Sequence, residues 1–224
     1  MLVLHVRQVL GAAELRQLRE LAARAAWTDG RTTSGDPNES RKRNEQVDVA
    51  SAEGQAAAQV VRDALRRHPL FAAVALPSRL SVPMFNRYTP GMQYGAHVDA
   101  SIMGGGEPLR TDLSATLFVA DPTAYDGGEL IVESAQGQQA VKLPAGDLLL
   151  YPATSVHRVA PVTRGERVAV IFWVQSMVRD AAQRGLLLEL SQAISNLEPT
   201  LGDSADFNRL TACYHNLVRM WAQP

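Results

Sequence analysis

His97, Asp99 and His157 are the residues of this sequence whose types and spacing can hold a catalytic metal. In an extended segment residues i and i+2 point to the same face, so the run His97-Val98-Asp99 presents an imidazole and a carboxylate to one ion. His157, in LYPATSVHRV, reads as part of a strand entering from elsewhere in the sheet. Two imidazoles and one carboxylate suit Fe(II) and leave coordination positions open for a cosubstrate and O2. A structural zinc site would close all four positions with protein ligands, so three ligands without cysteine point to a catalytic metal. The dipeptide motif alone is weak, because a His-x-Asp pair is more often a surface pair or a satisfied hydrogen bond.

Arg167 adds the missing context, ten residues after His157 in HRVAPVTRGERVAVIFW. A hairpin turn at Thr163 to Glu166 would lay an arginine strand beside the histidine strand. A guanidinium fork binds a carboxylate through two parallel hydrogen bonds, which is what the distal end of a metal-chelating 2-oxo acid requires. Arg164 fits a solvated turn residue better, whereas Arg167 begins an apolar strand.

The rest of the chain must position these groups. With 224 residues and 46% hydrophobic content it is long enough for one domain with a substantial core. Basic and acidic residues number 22 and 23, giving a formal charge of -1, so no global field favours nucleic acid or an anionic membrane. The N-terminal residues lack the features of a signal peptide and no stretch reaches membrane-spanning length, which gives a cytoplasmic expectation with no membrane partner. The single cysteine, Cys213, excludes an intrachain disulfide and a multi-cysteine metal site; it reads as a small buried hydrophobe on a helix face.

Leu15, Leu18, Leu21, Ala22 and Ala25 recur at helical spacing over Ala12 to Ala26, and a second helix fits Ser51 to Arg67, stopping before Pro69. Between them, residues 28–46 have no period and read as a long surface excursion. From about Leu80 the runs LSVPMFNRY, SATLFVA, GELIVES, QAVKL, DLLLYPA, VHRVAPV and RVAVIFWVQ are strand-like, with TPGMQYG, DPTAYDGG, SAQGQ and VTRGER as punctuation. Seven or eight short strands without intervening helices predict an antiparallel closed or double sheet. Helical character returns over residues 180–197, and again where Phe207, Leu210, Tyr214, Leu217 and Trp221 form a stripe capped by Asp203 or Ser204. The expectation is an α+β protein: a double-stranded β-helix (jelly-roll) core at 79–176, a helical N-terminal part at 1–78 packed on it, and a C-terminal helical subdomain at 177–224. The aromatic faces of that tail could serve as a homo-oligomer interface.

The ordered motifs Tyr88-x-x-Gly91, His97-x-Asp99, Asp126-Gly127-Gly128-Glu129-Leu130, Pro144-Ala145-Gly146-Asp147, His157 and Arg167 resemble the prolyl-4-hydroxylase-like branch of Fe(II)/2-oxoglutarate dioxygenases. More closely, NRY, HVD, RTDLSATLFV, YDGGEL and the run from KLPAGD to SMVRD look like bacterial PKHD-type hydroxylases linked to iron uptake. The resemblance extends over nearly the whole chain, including WTDG, KRNEQ and the helical tail. It implies that His97, Asp99 and His157 ligate Fe(II) and that Arg167 binds 2-oxoglutarate, with Tyr88 near that cosubstrate. It further implies hydroxylation of a small-molecule or protein substrate with O2, giving succinate and CO2, with L-ascorbate keeping the iron reduced. A non-catalytic sensor of iron or the oxo acid would use the same ligands.

Several residues have bland readings. A half-buried barrel tyrosine would explain Tyr88. Gly127-Gly128 and the PAGD turn fit backbone requirements, and Asp126 and Glu129 fit surface charge. Asp112, Ser114 and Thr116 lie on a strand that should line the barrel, but alternation alone leaves open which face points inward. Lys42, Asn44 and Gln46 fit a solvated cluster by default and a substrate surface by resemblance. SIMGGGEPLRTD, residues 101–112, reads as a mobile loop over the site. His5, His68 and His215 have no carboxylate at ligand spacing and read as satisfied or exposed. A nucleic-acid demethylase would carry an Arg-x-Asn-x-Thr-x-Arg run, whereas Arg167 is followed by Val168, Ala169, Val170 and Ile171.

Overall fold

The computed structural model describes residues 3–33, 41–104, 107–134 and 137–223. In chain order the N-terminal part supplies β1 (Leu4–Val6), α1 (Ala12–Arg24), β2 (Trp27–Asp29), β3 (Lys42–Arg43), β4 (Glu45–Val47), α2 (Ala52–Arg67) and α3 (Pro69–Ala75). The strand-rich part opens with β5 (Pro77–Leu80), β6 (Met84–Tyr88), β7 (Gln93–His97), β8 (Ile102–Met103), β9 (Leu109–Arg110) and β10 (Leu113–Phe118). It continues with β11 (Tyr125–Gly127), β12 (Leu130–Ser134), β13 (Gly137–Val141), β14 (Leu148–Pro152), β15 (His157–Val159), β16 (Val162–Gly165) and β17 (Arg167–Ser176). Helices α4 (Ala181–Leu201) and α5 (Ala205–Trp221) follow.

The alternation along β17 organises these pieces. Val170, Phe172 and Val174 point to one face and pack with Leu18, Val61, Phe71 and other side chains of α1, α2 and α3. Arg167, Ile171 and Trp173 point to the other face and line a cavity. The period of two thus gives one sheet an outer face covered by helices and an inner face that builds the site. That sheet has eight antiparallel strands in the order β1-β14-β10-β17-β6-β4-β2, with β5 also paired to β17. A five-stranded sheet, β13-β12-β15-β7-β3, meets its inner face through Leu130, Val132 and Val159 against Tyr88, Phe118, Leu149 and Tyr151. This is the jelly-roll core with helices outside that the short strands predict.

The helix ends follow their capping chemistry. Ser51 Oγ accepts from Gly54 N at 3.0 Å to begin α2, and Ser204, rather than Asp203, caps α5 by accepting from Phe207 N at 3.2 Å. Pro69 ends α2 as expected but also starts α3, where its missing N–H costs nothing and His68 Nδ1 accepts from Phe71 N.

Five expectations need correction. β15 and β17 are not hairpin partners: β15 pairs with β12 and β7 in the five-stranded sheet and β17 with β10, β6 and β5 in the other, because β16 leaves to pair with β11. Residues read as turns in TPGMQYG and DPTAYDGG supply β7 and β11. The 101–112 segment carries the short β8–β9 hairpin, and the described parts of the 28–46 excursion supply β3 and most of β2 and β4, paired into the two sheets; Gly105, Gly106 and residues 34–40 lie outside the described residues. Cys213 is exposed, because the side of α5 that packs on Leu76, Val178 and Leu187 is formed by Tyr214, Leu217, Val218 and Trp221.

Phe172 is fully buried and meets Phe71 edge-on at 6.5 Å between ring centroids. Phe172→Ala should destabilise the fold by about 3–5 kcal/mol, read as a lower urea midpoint with an unchanged slope.

Candidate active site

β15 and β7 place His157 directly opposite His97, and their rings lie 4.2 Å apart. Each imidazole is held by a carbonyl two residues back: His97 Nδ1 donates to Gly95 O at 2.8 Å and His157 Nδ1 donates to Ser155 O at 3.1 Å. A carbonyl can only accept, so in the neutral ring the proton sits on Nδ1 and Nε2 keeps its lone pair. Both Nε2 atoms face Asp99, at 3.9 Å for His97 to Oδ1 and 3.7 Å for His157 to Oδ2. Asp99 lies just beyond β7, and Val98 between the two residues is 44% exposed. Ser114 Oγ donates to Asp99 Oδ2 at 2.5 Å and fixes the carboxylate. Among the described residues these three are the one group of metal-ligand type gathered closely enough for an ion, with one ligand atom from each within 4.8 Å of the others.

Burial, and next the neighbouring His157, push the His97 imidazole down to about 4, so it stays neutral at physiological pH, the form a metal needs. The Tyr94 ring stacks on His97 at 3.7 Å and 16°. An irregularity in the β15–β7 register lets residues three apart on one strand share this contact.

Arg167 starts β17 opposite Tyr88 of β6 and is 2% exposed. Its guanidinium lies 5.3 Å from the Tyr88 ring centroid and 5.6 Å from that of Phe118. Among the described residues no carboxylate pairs with it, and its buried Nε has no hydrogen-bond partner. Gly128, at φ +67, makes room for this side chain: a Cβ there would stand 3.1 Å from Arg167 Cδ. The Tyr88 hydroxyl is raised above the usual phenol range, chiefly by burial. His97, Asp99, His157, Arg167 and Tyr88 line one cavity of about 550 Å³. The arginine and the histidines therefore face each other from opposite sheets rather than standing side by side on one.

Ser114 and Thr116 point inward and line this cavity, whereas Asp112 is outside it, bound to Arg110 Nε at 2.8 Å and accepting from Ser176 N at 2.9 Å. Lys42, Asn44 and Gln46 are buried, at 5%, 3% and 3% exposure, which overturns the solvated reading. They stand where the chain crosses from the five-stranded sheet (β3) to the eight-stranded one (β4), and Lys42 and Gln46 line the cavity. Asn86, Tyr94, Tyr151 and Trp173 also line it without belonging to any sequence motif; the period of two around Tyr88 and Arg167 is the signal that marks Asn86 and Trp173. The other histidines are structural: His5 Nε2 meets Asp147 Oδ2 at 2.6 Å, His68 caps α3, and His215 packs beside Tyr214.

Residues 83–175 match the 2OG-Fe(II) oxygenase superfamily and residues 181–223 match the PKHD-type hydroxylase C-terminal domain. A PKHD-type hydroxylase from Janthinobacterium sp. (strain Marseille) is 50% identical over 99% of both chains. Among solved structures, a Pseudomonas putida prolyl-4-hydroxylase superimposes with a TM-score of 0.52 at 24% identity, covering 78% of this chain and 92% of that one. A Trichoplax adhaerens prolyl hydroxylase, solved with a hypoxia inducible factor peptide, gives 0.58 at 16% identity over 82% and 86% of the two chains. At these identities the two structures speak to the fold.

The neutral His97 has a consequence for the metal-free protein. Its value is about 4 when folded against 6.5 as a free side chain, so between these limits the unfolded chain holds more protons. Stability should therefore be full above about pH 6.5 and fall as pH drops toward 4, by at most about 3 kcal/mol from this group. Chemical denaturation across that range should give this slope, and a flatter one in His97→Phe.

Proposed function

Because this chain belongs to the PKHD-type hydroxylases of the 2OG-Fe(II) oxygenase superfamily, we propose that His97, Asp99 and His157 hold its Fe(II) and that Arg167 and Tyr88 hold 2-oxoglutarate. The observation that carries this assignment is the buried Arg167 Nε without a partner, lining the same cavity as the two lone-pair-bearing Nε2 atoms and the Asp99 carboxylate. An unpaired buried donor is costly, and a carboxylate is the natural partner of a guanidinium. With two imidazoles and one carboxylate the donor set suits Fe(II).

With O2, iron and 2-oxoglutarate supply an oxidant that hydroxylates an unactivated C–H bond and yield succinate and CO2. The protein's own residues do simpler work. Gly95 O and Ser155 O orient the two imidazoles, Ser114 orients the carboxylate, and the Tyr88 and Phe118 rings flank the guanidinium. Such supporting contacts fix ligand geometry and are worth roughly 10–100-fold in affinity or activity. The inner hydrophobic cluster between the sheets keeps bulk water away from the reacting groups. The proposal includes a cytoplasmic protein, ascorbate as the reductant that maintains Fe(II), and a role linked to iron uptake or homeostasis.

Anaerobically loaded protein given 2-oxoglutarate and O2 should form succinate even without its own substrate. Asp99→Ala should reduce this more than about 100-fold. Arg167→Met should raise the 2-oxoglutarate requirement by about 10- to 100-fold, the worth of a charged hydrogen bond. Tight binding of metal and oxo acid with no succinate under any condition would leave a sensor in place of an enzyme.

A further inference from the structure

Tyr151 lines the cavity and is 4% exposed, but it is neither a metal ligand nor the anchor of the distal carboxylate. Its backbone belongs to β14 of the eight-stranded sheet, where the register sets it opposite Ser114 of β10, the residue that donates to Asp99. Its ring meets the other sheet: the His157 imidazole lies 5.0 Å away, edge-on at 63°. Tyr151 thus bridges the sheet that carries Arg167 and the ligand set presented by the other. Tyr94 gives the second imidazole an aromatic neighbour too, but it lies flat on His97 and is only half-buried.

The hydroxyl of this ring lies in the field of both ends of the cavity. Burial is the main cause that raises the phenol above its usual range, Asp99 adds to the rise, and Thr116 and then Arg167 oppose it. An ordinary phenol is already protonated at neutral pH, so the group is a donor with or without that shift. Thr116 lies two residues along β10 from Ser114, on the same inner face. As a hydrogen-bond partner that lowers the phenol, it supports the oxygen and leaves the proton to be given elsewhere. Asp99 acts through its charge, and its Oδ2 already accepts from Ser114. Among the described residues the Tyr151 proton is therefore left for an acceptor that the chain does not supply.

A chelating 2-oxo acid brings such an acceptor. It meets a metal through its oxo oxygen and one oxygen of the adjacent carboxylate, which leaves that carboxylate a second, charged oxygen on the ligand side of the cavity. Ser114 gives its proton to Asp99 and cannot serve it. Arg167 stands toward the other end of β17 from Trp173, the residue opposite Ser114, so its guanidinium serves the distal carboxylate. The metal-side carboxylate needs a different donor. A hydrogen bond from a buried hydroxyl to a charged oxygen is short, strong and shielded from water.

We propose that the Tyr151 hydroxyl donates to the metal-side carboxylate of the oxo acid, so that Arg167 and Tyr151 hold its two ends. The inference rests on the reading of the cavity as an Fe(II)/2-oxoglutarate site. The experiment uses the full chain with Mn(II) in place of iron, titrated by calorimetry with 2-oxoglutarate, which has both ends, and with oxalate, which has a chelating end alone. Tyr151→Phe keeps the ring on His157 and removes the hydroxyl. It should weaken both ligands by a common factor of about tenfold or more, while the Mn(II) affinity of the ligand-free protein stays within about twofold. Arg167→Met should weaken 2-oxoglutarate and leave oxalate within about twofold. Unchanged binding of both ligands to Tyr151→Phe, a loss confined to 2-oxoglutarate, or a Mn(II) affinity that falls with the hydroxyl overturns the inference and leaves the functional reading standing. Failure of the native protein to bind 2-oxoglutarate overturns both.

Discussion

The structure turns on the half-buried Asp99 carboxylate held within 4 Å of two imidazole nitrogens that, in the neutral rings, cannot donate to it. With both rings neutral, Gly95 O and Ser155 O take the ring protons, so among these three residues the carboxylate faces lone pairs, with Ser114 Oγ as its donor. That arrangement is unfavourable without a cation between the groups and explains why the donors are pinned from behind by backbone and hydroxyl. Folding must hold it by other means. The alternation of β17 and β10 packs one sheet face under three helices, and that core carries the cost of a polar inner face.

The two-sheet construction divides the labour. The five-stranded sheet and the segment after it present the metal ligands, and the eight-stranded sheet presents Arg167, Tyr88, Ser114 and Thr116. A chelating oxo acid held as proposed would reach across the gap from one sheet to the other. Residues 42–47 join the two sheets, and Lys42 and Gln46 of this segment line one side of the cavity.

Much of this was legible in the sequence because it depends on short-range geometry. His97 and Asp99 share a face by the period of two, and the run of short strands announces the jelly roll. Arg167 is marked by its type and place, but its neighbourhood is not: a turn-like run between two strands suggests a hairpin, and nothing local reveals that β16 departs to pair with β11. Lys42, Asn44 and Gln46 alternate with Arg43 and Glu45, so both faces are polar and no apolar side marks which way they turn. The register irregularity that sets Tyr94 on His97, and the exposure of Cys213 on a helix with one modest packing face, are likewise decided by tertiary contacts.

The most direct test of the account is a crystal structure of the anaerobic protein with Fe(II) and 2-oxoglutarate, with the metal located by anomalous scattering at the iron edge. The account predicts one iron peak bonded to His97 Nε2, His157 Nε2 and an Asp99 oxygen, with the distal carboxylate of the oxo acid on Arg167. Iron bound elsewhere, or an oxo acid whose distal carboxylate does not meet Arg167, would contradict it.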